Sequence, residues 1–302
     1  MAAARTTRRA SATAPGTCGE LAQGILDGIL CMVTCPIDLY STATVELRPG
    51  PPGISAESGI HGPPDSPKAC HAVRATLDYL GASGMNARLS LDSRLPRGKG
   101  MASSTADVSA AIVATASATG CQLAPEQIAE IALGVEPSDG VMFPHVTVFD
   151  HREGKIARSL GPPPPMRVLI LDFGGSVDTL EFNRAKCDEL LYRLGPRMKE
   201  AVALIEEGIL RGDPLRIGRG ATVSAQANQQ VLFNPHIEPV LELSREVGAV
   251  GVNVAHSGTV IGMLFRDDAS LAERAVAAVR REFPGLESAL HRRITGGGVV
   301  PG

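Results

Sequence analysis

In the first half of the chain, segments with the apolar spacing of β-strands alternate with segments that have the apolar spacing of α-helices. Residues 41–47 alternate polar with apolar side chains, and residues 30–35 form an apolar run; both patterns are typical of β-strands. Residues 69–80 instead repeat apolar side chains at helical spacing until Gly81, a common helix terminator. In this half the patterns predict strands at residues 30–35, 41–47, 86–91 and 146–150, and helices at residues 69–80, 103–118 and 125–133.

Four consecutive prolines at residues 162–165 interrupt this order. Proline donates no backbone hydrogen bond and favours an extended conformation, so the run predicts a stiff linker between two domains. Beyond it we expect strands at residues 166–172, 250–255, 260–265 and 292–294, and helices at residues 183–194, 196–207, 213–226, 235–247 and 271–283. The sequence thus predicts an α+β protein with a disordered tail (residues 1–12), an N-terminal domain (13–160) and a C-terminal domain (161–302).

Composition narrows the classes of function. The chain has 302 residues, 44% of them hydrophobic, and a formal net charge of −3. Arg5, Arg8 and Arg9 form the main basic cluster, so we expect no nucleic-acid partner. No apolar run reaches the roughly 18 to 20 residues that span a bilayer, and no apolar segment of a secretory signal follows Met1. We therefore expect a cytoplasmic protein without a membrane partner, whose scattered cysteines are reduced. The oligomeric state stays open.

A glycine-rich segment precedes the helix expected at residues 103–118. Gly98 and Gly100 allow backbone N–H groups to converge on an anion, Lys99 adds a positive charge, and Ser103 is expected to cap the helix. The spacing fits neither a Walker A loop nor a dinucleotide-binding loop. The segment predicts a phosphate loop of another type, unless it is only a turn leading into a core helix. The expected ATP-binding residues are Pro96, Arg97, Gly98, Lys99, Gly100, Met101, Ala102, Ser103 and Ser104.

Three segments together resemble the motifs of the GHMP kinases, in the family's order. They are residues 14–21 (Ala-Pro-Gly-Thr-Cys-Gly-Glu-Leu), residues 95–106 and the turn at residues 254–260. The resemblance implies ATP-dependent phosphorylation of a small-molecule hydroxyl. It also implies a two-domain α+β fold, with an N-terminal domain like domain 2 of ribosomal protein S5 and a ferredoxin-like C-terminal domain. Thr17, Met101 and Ala102 depart from residues common in the family.

Other segments resemble the threonine-phosphorylating members of this family, notably residues 18–24, residues 35–41 and Glu136-Pro137-Ser138-Asp139. That resemblance implies phosphorylation of the side-chain hydroxyl of L-threonine to O-phospho-L-threonine, which supplies the aminopropanol linker of cobalamin. Two alternatives stay open. One is a kinase for another hydroxylated metabolite such as homoserine, and the other is a binding protein that keeps the fold without turnover.

The family resemblance also implies roles for individual residues. It assigns Mg²⁺ binding to Ser104 and Glu136, with Glu130 as a rival ligand, and it assigns catalysis to Asp139 as general base and to Lys99. On residue type alone, Glu136 and Asp139 fit a solvated turn equally well. The expected substrate-binding residues are Glu20, Asp38, Ser257 and Gly258, with His256 expected to orient the turn that carries the last two.

Overall fold

The structure, a computed structural model, describes residues 7–50, 59–175, 188–256 and 258–302. The strands are β1 (Arg8–Leu26), β2 (Ile29–Pro49), β3 (Ile60–His61), β4 (Met85–Ser93), β5 (Val146–Phe149), β6 (Ala157–Gly161), β7 (Met166–Asp172), β8 (Gly251–Val254), β9 (Ile261–Arg266), β10 (Ser288–Ile294) and β11 (Val300–Pro301). The helices are α1 (Pro67–Tyr79), α2 (Ser103–Thr119), α3 (Pro125–Val135), α4 (Asp188–Arg211), α5 (Pro214–Asn228), α6 (Ile237–Glu246) and α7 (Ala269–Glu282). These mixed elements confirm the predicted α+β class. No described helix combines the length and the apolar composition needed to cross a membrane.

Strands β1 and β2 form one long antiparallel hairpin. Asp27 and Gly28, at its tip, both have positive φ angles of 49° and 86°, as a tight two-residue hairpin turn requires. The pairing runs back to Arg8 opposite Leu47. The disordered tail expected over residues 1–12 is therefore wrong from Arg8 onward, because these residues complete the edge of β2; residues 1–6 lie outside the described part of the chain.

Irregular pairing opens this hairpin in the middle. The register shifts between Pro15 and Ala22, and in this stretch Glu20 pairs with Thr34 of β2 and with Val254 of β8. On the other side, Ile37 of β2 pairs with Ile294 of β10. Strands β8, β9, β7 and β10 thus continue the sheet from β1 round to β2. The opened stretch of the hairpin is where strands from the two halves of the sequence meet.

A single helix replaces two predicted ones after β7. Helix α4 runs from Asp188 to Arg211 and contains Pro196, which was expected to separate two helices. Proline removes one hydrogen bond of the helix, but packing decides the outcome, because Met198, Val202 and Ile205 are buried in the core. The part of the first predicted helix before Asp188 lies outside the described residues.

The main hydrophobic core crosses the expected domain boundary. Val33 and Val148 belong to the same buried cluster as Val168, Ile205 and Leu264 from the second half. A second cluster lies within the C-terminal half, between β7, β8 and β9 and helices α6 and α7. The proline run at residues 162–165 connects β6 to β7. The exact boundary stays a prediction.

Candidate active site

The glycine-rich loop ends in a backbone conformation that the sequence did not indicate. Gly98 and Gly100 have positive φ angles of 70° and 79°, as expected for glycine, but Ala102 also adopts a left-handed φ of 53°. Ala102 is the N-cap of α2, and Ser103 is the first helical residue. The expected cap by Ser103 is therefore wrong. Ser103, like Ser104, lines the cavity in front of the loop.

The other two motifs hold this loop from both sides. Met101 and Gly100 accept backbone hydrogen bonds from Thr17 (3.1 Å) and Gly19 (3.3 Å) in β1. From the turn between β8 and β9, Thr259 and Val260 donate to the carbonyl of Lys99 at 3.2 and 3.3 Å.

Gly258 in that turn packs directly on the loop. A Cβ atom at Gly258 would lie 2.3 Å from the Lys99 carbonyl oxygen, so only glycine fits. Ser257, the neighbouring predicted substrate residue, lies outside the described residues. The tertiary structure thus joins three segments that are far apart in the sequence.

Glu136 contacts the start of α2. The hydroxyl of Ser104 donates a hydrogen bond to Glu136 Oε1, and the ammonium of Lys68 in α1 contacts Oε2 of the same carboxylate. Ser104 and Lys68 line a cavity of about 240 Å³ together with Arg97 and Gly98. The rival ligand Glu130 lies on the exposed face of α3. The geometry therefore favours Glu136 over Glu130 as the carboxylate that faces the loop.

The donor set fits Mg²⁺ by its chemistry. Within the described ranges no group of three histidine, cysteine, aspartate or glutamate side chains could hold a metal ion. A hydroxyl and a carboxylate in contact are nevertheless hard oxygen donors, and Mg²⁺ commonly binds through one or two protein oxygens together with substrate phosphates and water.

Asp139 lies beside the next residue of the helix. The hydroxyl of Thr105 accepts a hydrogen bond from the Asp139 backbone N–H and donates one to Asp139 Oδ2, both at 3.3 Å. The pKa of Asp139 is raised to about 6, mainly by burial and also by the nearby Glu136 carboxylate, while hydrogen bonds from Thr105 and Glu20 oppose the shift. A carboxylate with such a pKa is suited to accept a proton near neutral pH.

Glu20 is buried against Asp139. Only 4% of Glu20 is exposed, and burial followed by the Asp139 charge raises its pKa well above the usual value. Two carboxyl groups in contact cannot both ionise cheaply, so the raised pKa makes Glu20 the member of the pair that holds a proton to higher pH, and the protonated group is suited to donate a hydrogen bond to Asp139. The pair unites one predicted substrate residue with the predicted base.

Lys99 is turned away from this pair. Its ammonium lies 3.0 Å from Asp172 Oδ2 and 3.4 Å from Glu287 Oε2, and it donates to the carbonyl of Gly175 at 3.1 Å. The hydrogen bond to Asp172 raises the pKa of Lys99. In this arrangement the charge of Lys99 is balanced by carboxylates of the C-terminal half.

Two other predicted residues have structural partners. Arg97 forms ion pairs with Asp65 (3.5 Å) and with the buried Asp107 of α2 (3.6 Å), at the rim of the cavity. Asp38 accepts a hydrogen bond from the Arg293 backbone N–H at 2.8 Å, which ties β2 to β10. No described contact joins Asp38 to Glu20 or Asp139, so the structure does not bring it into the same cluster.

Sequence reasoning missed two polar neighbours of the site. Thr105 directly follows the predicted Ser104, so its place in the first turn of α2 was the available signal. Lys68 had none, because an isolated lysine at the start of a helix is ordinarily a solvated charge.

Comparison with known proteins gives the family context. A family model for the N-terminal domain of GHMP kinases matches residues 68–143, and one for their C-terminal part matches residues 201–285. The chain is 35% identical over 255 residues to an L-threonine kinase from Salmonella typhimurium, with 84% of this chain and 82% of that protein covered. It is 31% identical over 291 residues to an L-threonine kinase from Citrobacter freundii, with 95% and 98% covered.

A solved structure matches the whole fold. Homoserine kinase from Cytophaga hutchinsonii aligns with a TM-score of 0.72, covering 100% of this chain and 99% of that chain, at 15% sequence identity. At this identity the likeness concerns the fold alone.

Proposed function

This chain belongs to the GHMP kinases and is a small-molecule kinase, and on that premise we propose that it transfers the γ-phosphoryl group of ATP to the side-chain hydroxyl of L-threonine. The family resemblance and two-domain fold expected from the three motifs are confirmed. The product is O-phospho-L-threonine. Its use for the aminopropanol linker of cobalamin and its formation in the cytoplasm are part of the proposal.

One observation carries the mechanism. Consecutive residues at the start of α2, Ser104 and Thr105, each hold one acid of the segment after α3. Ser104 and Glu136 offer oxygen ligands next to the glycine-rich loop. Asp139 contacts Thr105, the next residue of helix α2. Phosphoryl transfer needs a phosphate cradle, a metal site and a group that orients the attacking hydroxyl. In the proposed mechanism, Ser104 with Glu136 supplies the metal site and Asp139 supplies the group that orients the hydroxyl. Both lie beside the loop that would form the phosphate cradle.

Ser104 and Glu136 are proposed to hold Mg²⁺. The metal ion would neutralise charge on the phosphates, as it does in phosphoryl transfer generally. Gly98 of the loop lines the cavity, and the N-terminus of α2, which also borders the cavity, adds partial positive charge there.

Asp139 is proposed as the residue that accepts the hydroxyl proton. Its ionised form is required, and the hydrogen bond from protonated Glu20 helps to keep it ionised. Glu20 thereby lies on the side of the site where the phosphoryl-accepting substrate would bind. As a neutral carboxyl group it can also accept a hydrogen bond through its second oxygen.

Lys68 is a candidate for balancing the triphosphate charge, besides Lys99. The Lys68 side chain is 57% exposed, lines the cavity and is held by Glu136. If Glu136 held a cation, its charge would be shared with that ion, and Lys68 would be available to contact a polyanion in the adjacent cavity. Lys99 would first have to leave Asp172 and Glu287.

A kinase for another hydroxylated metabolite such as homoserine is the second candidate. The homoserine kinase likeness concerns fold, whereas the two L-threonine kinases are similar in sequence over most of the chain. A fold without turnover is the third, and the joint presence of Ser104, Glu136 and Asp139 in one cluster speaks against it.

A coupled ADP-release assay across L-threonine, L-serine, L-homoserine and mevalonate tests the proposal. L-Threonine should give the highest kcat/KM. Serine should follow within roughly 10- to 200-fold, since one methyl group in a hydrophobic pocket discriminates by that range. A higher kcat/KM for homoserine or mevalonate would refute the threonine assignment, and ATP binding without turnover of any acceptor would favour the binding protein.

A further inference from the structure

Buried polar groups extend from Glu20 along β1. Glu20 pairs with Thr34 across the hairpin, and after the irregular register Gln23 pairs with Met32. Thr34 and Met32 are two residues apart on one strand and share a face, and cross-strand partners share that face as well. Glu20, Gln23 and Thr34 therefore lie on the same side of the hairpin.

Two histidines meet this row from other elements. The ring of His256, before the Gly258 turn, contacts Gln23 through Nδ1 and Oε1 at 2.6 Å. His151, just after β5, packs edge-on against His256 with ring centroids 5.1 Å apart. The carbonyl of His151 accepts a hydrogen bond from the N–H of Ser138, the neighbour of Asp139, at 2.9 Å. These contacts link Gln23, His256 and His151 to the segment that carries Asp139.

Several polar atoms in this set have no hydrogen-bond partner among the described residues. They are both ring nitrogens of His151, Gln23 Nε2, Glu20 Oε2 and Thr34 Oγ1. His151 is only 3% exposed and Glu20 only 4%, so these atoms are shielded from bulk water. Buried polar atoms in native proteins almost always have partners, and a cluster of orphans beside a base indicates a place where a polar ligand supplies them.

The unpartnered polar atoms are hydrogen-bond donors at Gln23 and His151 and hydrogen-bond acceptors at Glu20 and Thr34. Because Gln23 Oε1 is taken by His256, the free end of its amide is the NH₂ donor. Burial lowers the pKa of His151 to about 4, so its ring is neutral at pH 7 and carries one N–H donor. At the other end, Glu20 Oε2 and Thr34 Oγ1 offer oxygen acceptors. Arg152 acts on both histidines electrostatically and makes that end more favourable for an anion.

We propose that Gln23 and His151 bind the α-carboxylate of an amino-acid substrate, while Glu20 and Thr34 receive its α-ammonium. The inference rests on the proposed function, and it deepens it by naming the substrate class, a β-hydroxy-α-amino acid. Glu20 and Asp139 are in direct contact. Ammonium and hydroxyl groups on adjacent carbons match two adjacent carboxyl groups, whereas a hydroxyl one carbon further away fits less well.

The experiment compares L-threonine with L-threonine amide, in which a neutral amide replaces the carboxylate. For the wild type, kcat/KM should favour L-threonine by about 10-fold or more, the size of a charge-assisted hydrogen bond. Gln23→Met keeps the length of the side chain but removes the donor, and His151→Phe removes the ring nitrogens. Each should raise the KM for L-threonine about 10-fold with little change in kcat. Each should also bring the ratio of kcat/KM for L-threonine to kcat/KM for L-threonine amide towards one.

Matched controls use the same substitutions on the surface. Gln122→Met and His71→Phe alter exposed residues between α2 and α3 and in α1, and should leave the ratio unchanged. A second variant, Gln23→Glu, places a negative charge where the carboxylate is proposed to bind. It should raise the KM for L-threonine more than that for the amide, and thus serves if Gln23→Met does not fold.

Calorimetry separates this inference from the proposed function. L-Threonine binding is measured in Asp139→Asn, which should bind without turnover, with and without Gln23→Met. If folded variants with normal ATP binding keep the wild-type acceptor ratio, the inference is overturned and the kinase assignment stands. If the wild type phosphorylates no threonine, the proposed function fails. In that case, loss of threonine binding on Gln23→Met would still support the subsite, and absence of amino-acid binding would overturn it.

Discussion

The ammonium of Lys99 lies 3.0 Å from Asp172 Oδ2, although Lys99 stands in the centre of the glycine-rich loop and Asp172 ends strand β7. Glu287 adds a second carboxylate to the same ammonium. The loop is therefore tied to the C-terminal half by a side chain as well as by the backbone contacts of the Gly258 turn. In this position two carboxylates balance the charge of Lys99, and its expected role in neutralising phosphate stays a prediction.

Replacing Lys68 and Lys99 separately tests which of the two ammonium groups neutralises the phosphates of ATP. Lys68→Met should raise the KM for ATP roughly 10- to 100-fold, because a charge-assisted contact to phosphate contributes about 1.5 to 3 kcal/mol. Lys99→Met should change it less, since Asp172 and Glu287 already balance that charge. Initial rates against ATP concentration measure both, with Lys155→Met as a control at an exposed ion pair with Glu153. A larger effect of Lys99→Met would return the phosphate role to Lys99.

Metal dependence tests the carboxylate that faces the loop. Ser104→Ala and Glu136→Gln should each raise the Mg²⁺ concentration needed for half-maximal activity, because each removes one oxygen donor. Glu130→Gln is the matched control, since Glu130 is exposed on α3. Titration of activity with Mg²⁺ at fixed ATP gives the comparison. If only Glu130→Gln shifted the requirement, the metal assignment would move to that residue.

Asp139→Asn should lower kcat by roughly 10²-fold or more, the scale of a positioned acid–base group. Asparagine is nearly isosteric, so the hydrogen bonds with Thr105 can largely persist and ATP should still bind. Turnover is measured together with nucleotide binding by calorimetry. Near-normal kcat in a variant that binds ATP would remove Asp139 from the mechanism.

The pH profile should report the Glu20–Asp139 pair. The base acts when deprotonated, and its pKa is about 6, so kcat/KM should fall as the pH is lowered through about 6. Glu20→Gln keeps a hydrogen-bond donor and should leave the midpoint near 6. Glu20→Leu removes the donor that lowers the pKa of Asp139, and should move the midpoint to higher pH. Identical midpoints in all three proteins would contradict the coupling.

His151 should make stability depend on pH in a defined window. Its pKa is lowered from 6.5 to about 4 on burial, so the unfolded chain binds more protons than the folded chain between these values. Stability relative to His151→Phe should therefore fall as the pH drops from about 6.5 to about 4, by an amount on the order of 3 kcal/mol. Urea unfolding of both proteins at a series of pH values measures it. A constant difference would show that His151 is not buried as a neutral ring.

The sequence by itself determined the features that depend on local backbone chemistry. Gly98 and Gly100 indicated a loop with positive φ angles, and the alanine-rich stretch after it indicated a buried helix, because both properties reside in neighbouring residues. The three motifs also indicated the family correctly. No strand was predicted over residues 8–26, because much of β1 is buried on both faces and shows no clean alternation of polar and apolar positions.

Only the tertiary structure decided which polar groups meet. Glu136 and Glu130 are equivalent as residue types, and the contact with Ser104 distinguishes them only after α2 and α3 have packed. Pro196 should end a helix by its local chemistry, yet burial of the helix face beyond it prevails. Lys68 and His151 carry no local pattern, since their neighbours come from distant elements. Gln23 lies in the motif at residues 18–24, but its contact with His256 arises only in the folded chain. Charge and burial depend on those neighbours, so the chemistry of this site arises where the opened β1–β2 hairpin meets the C-terminal strands.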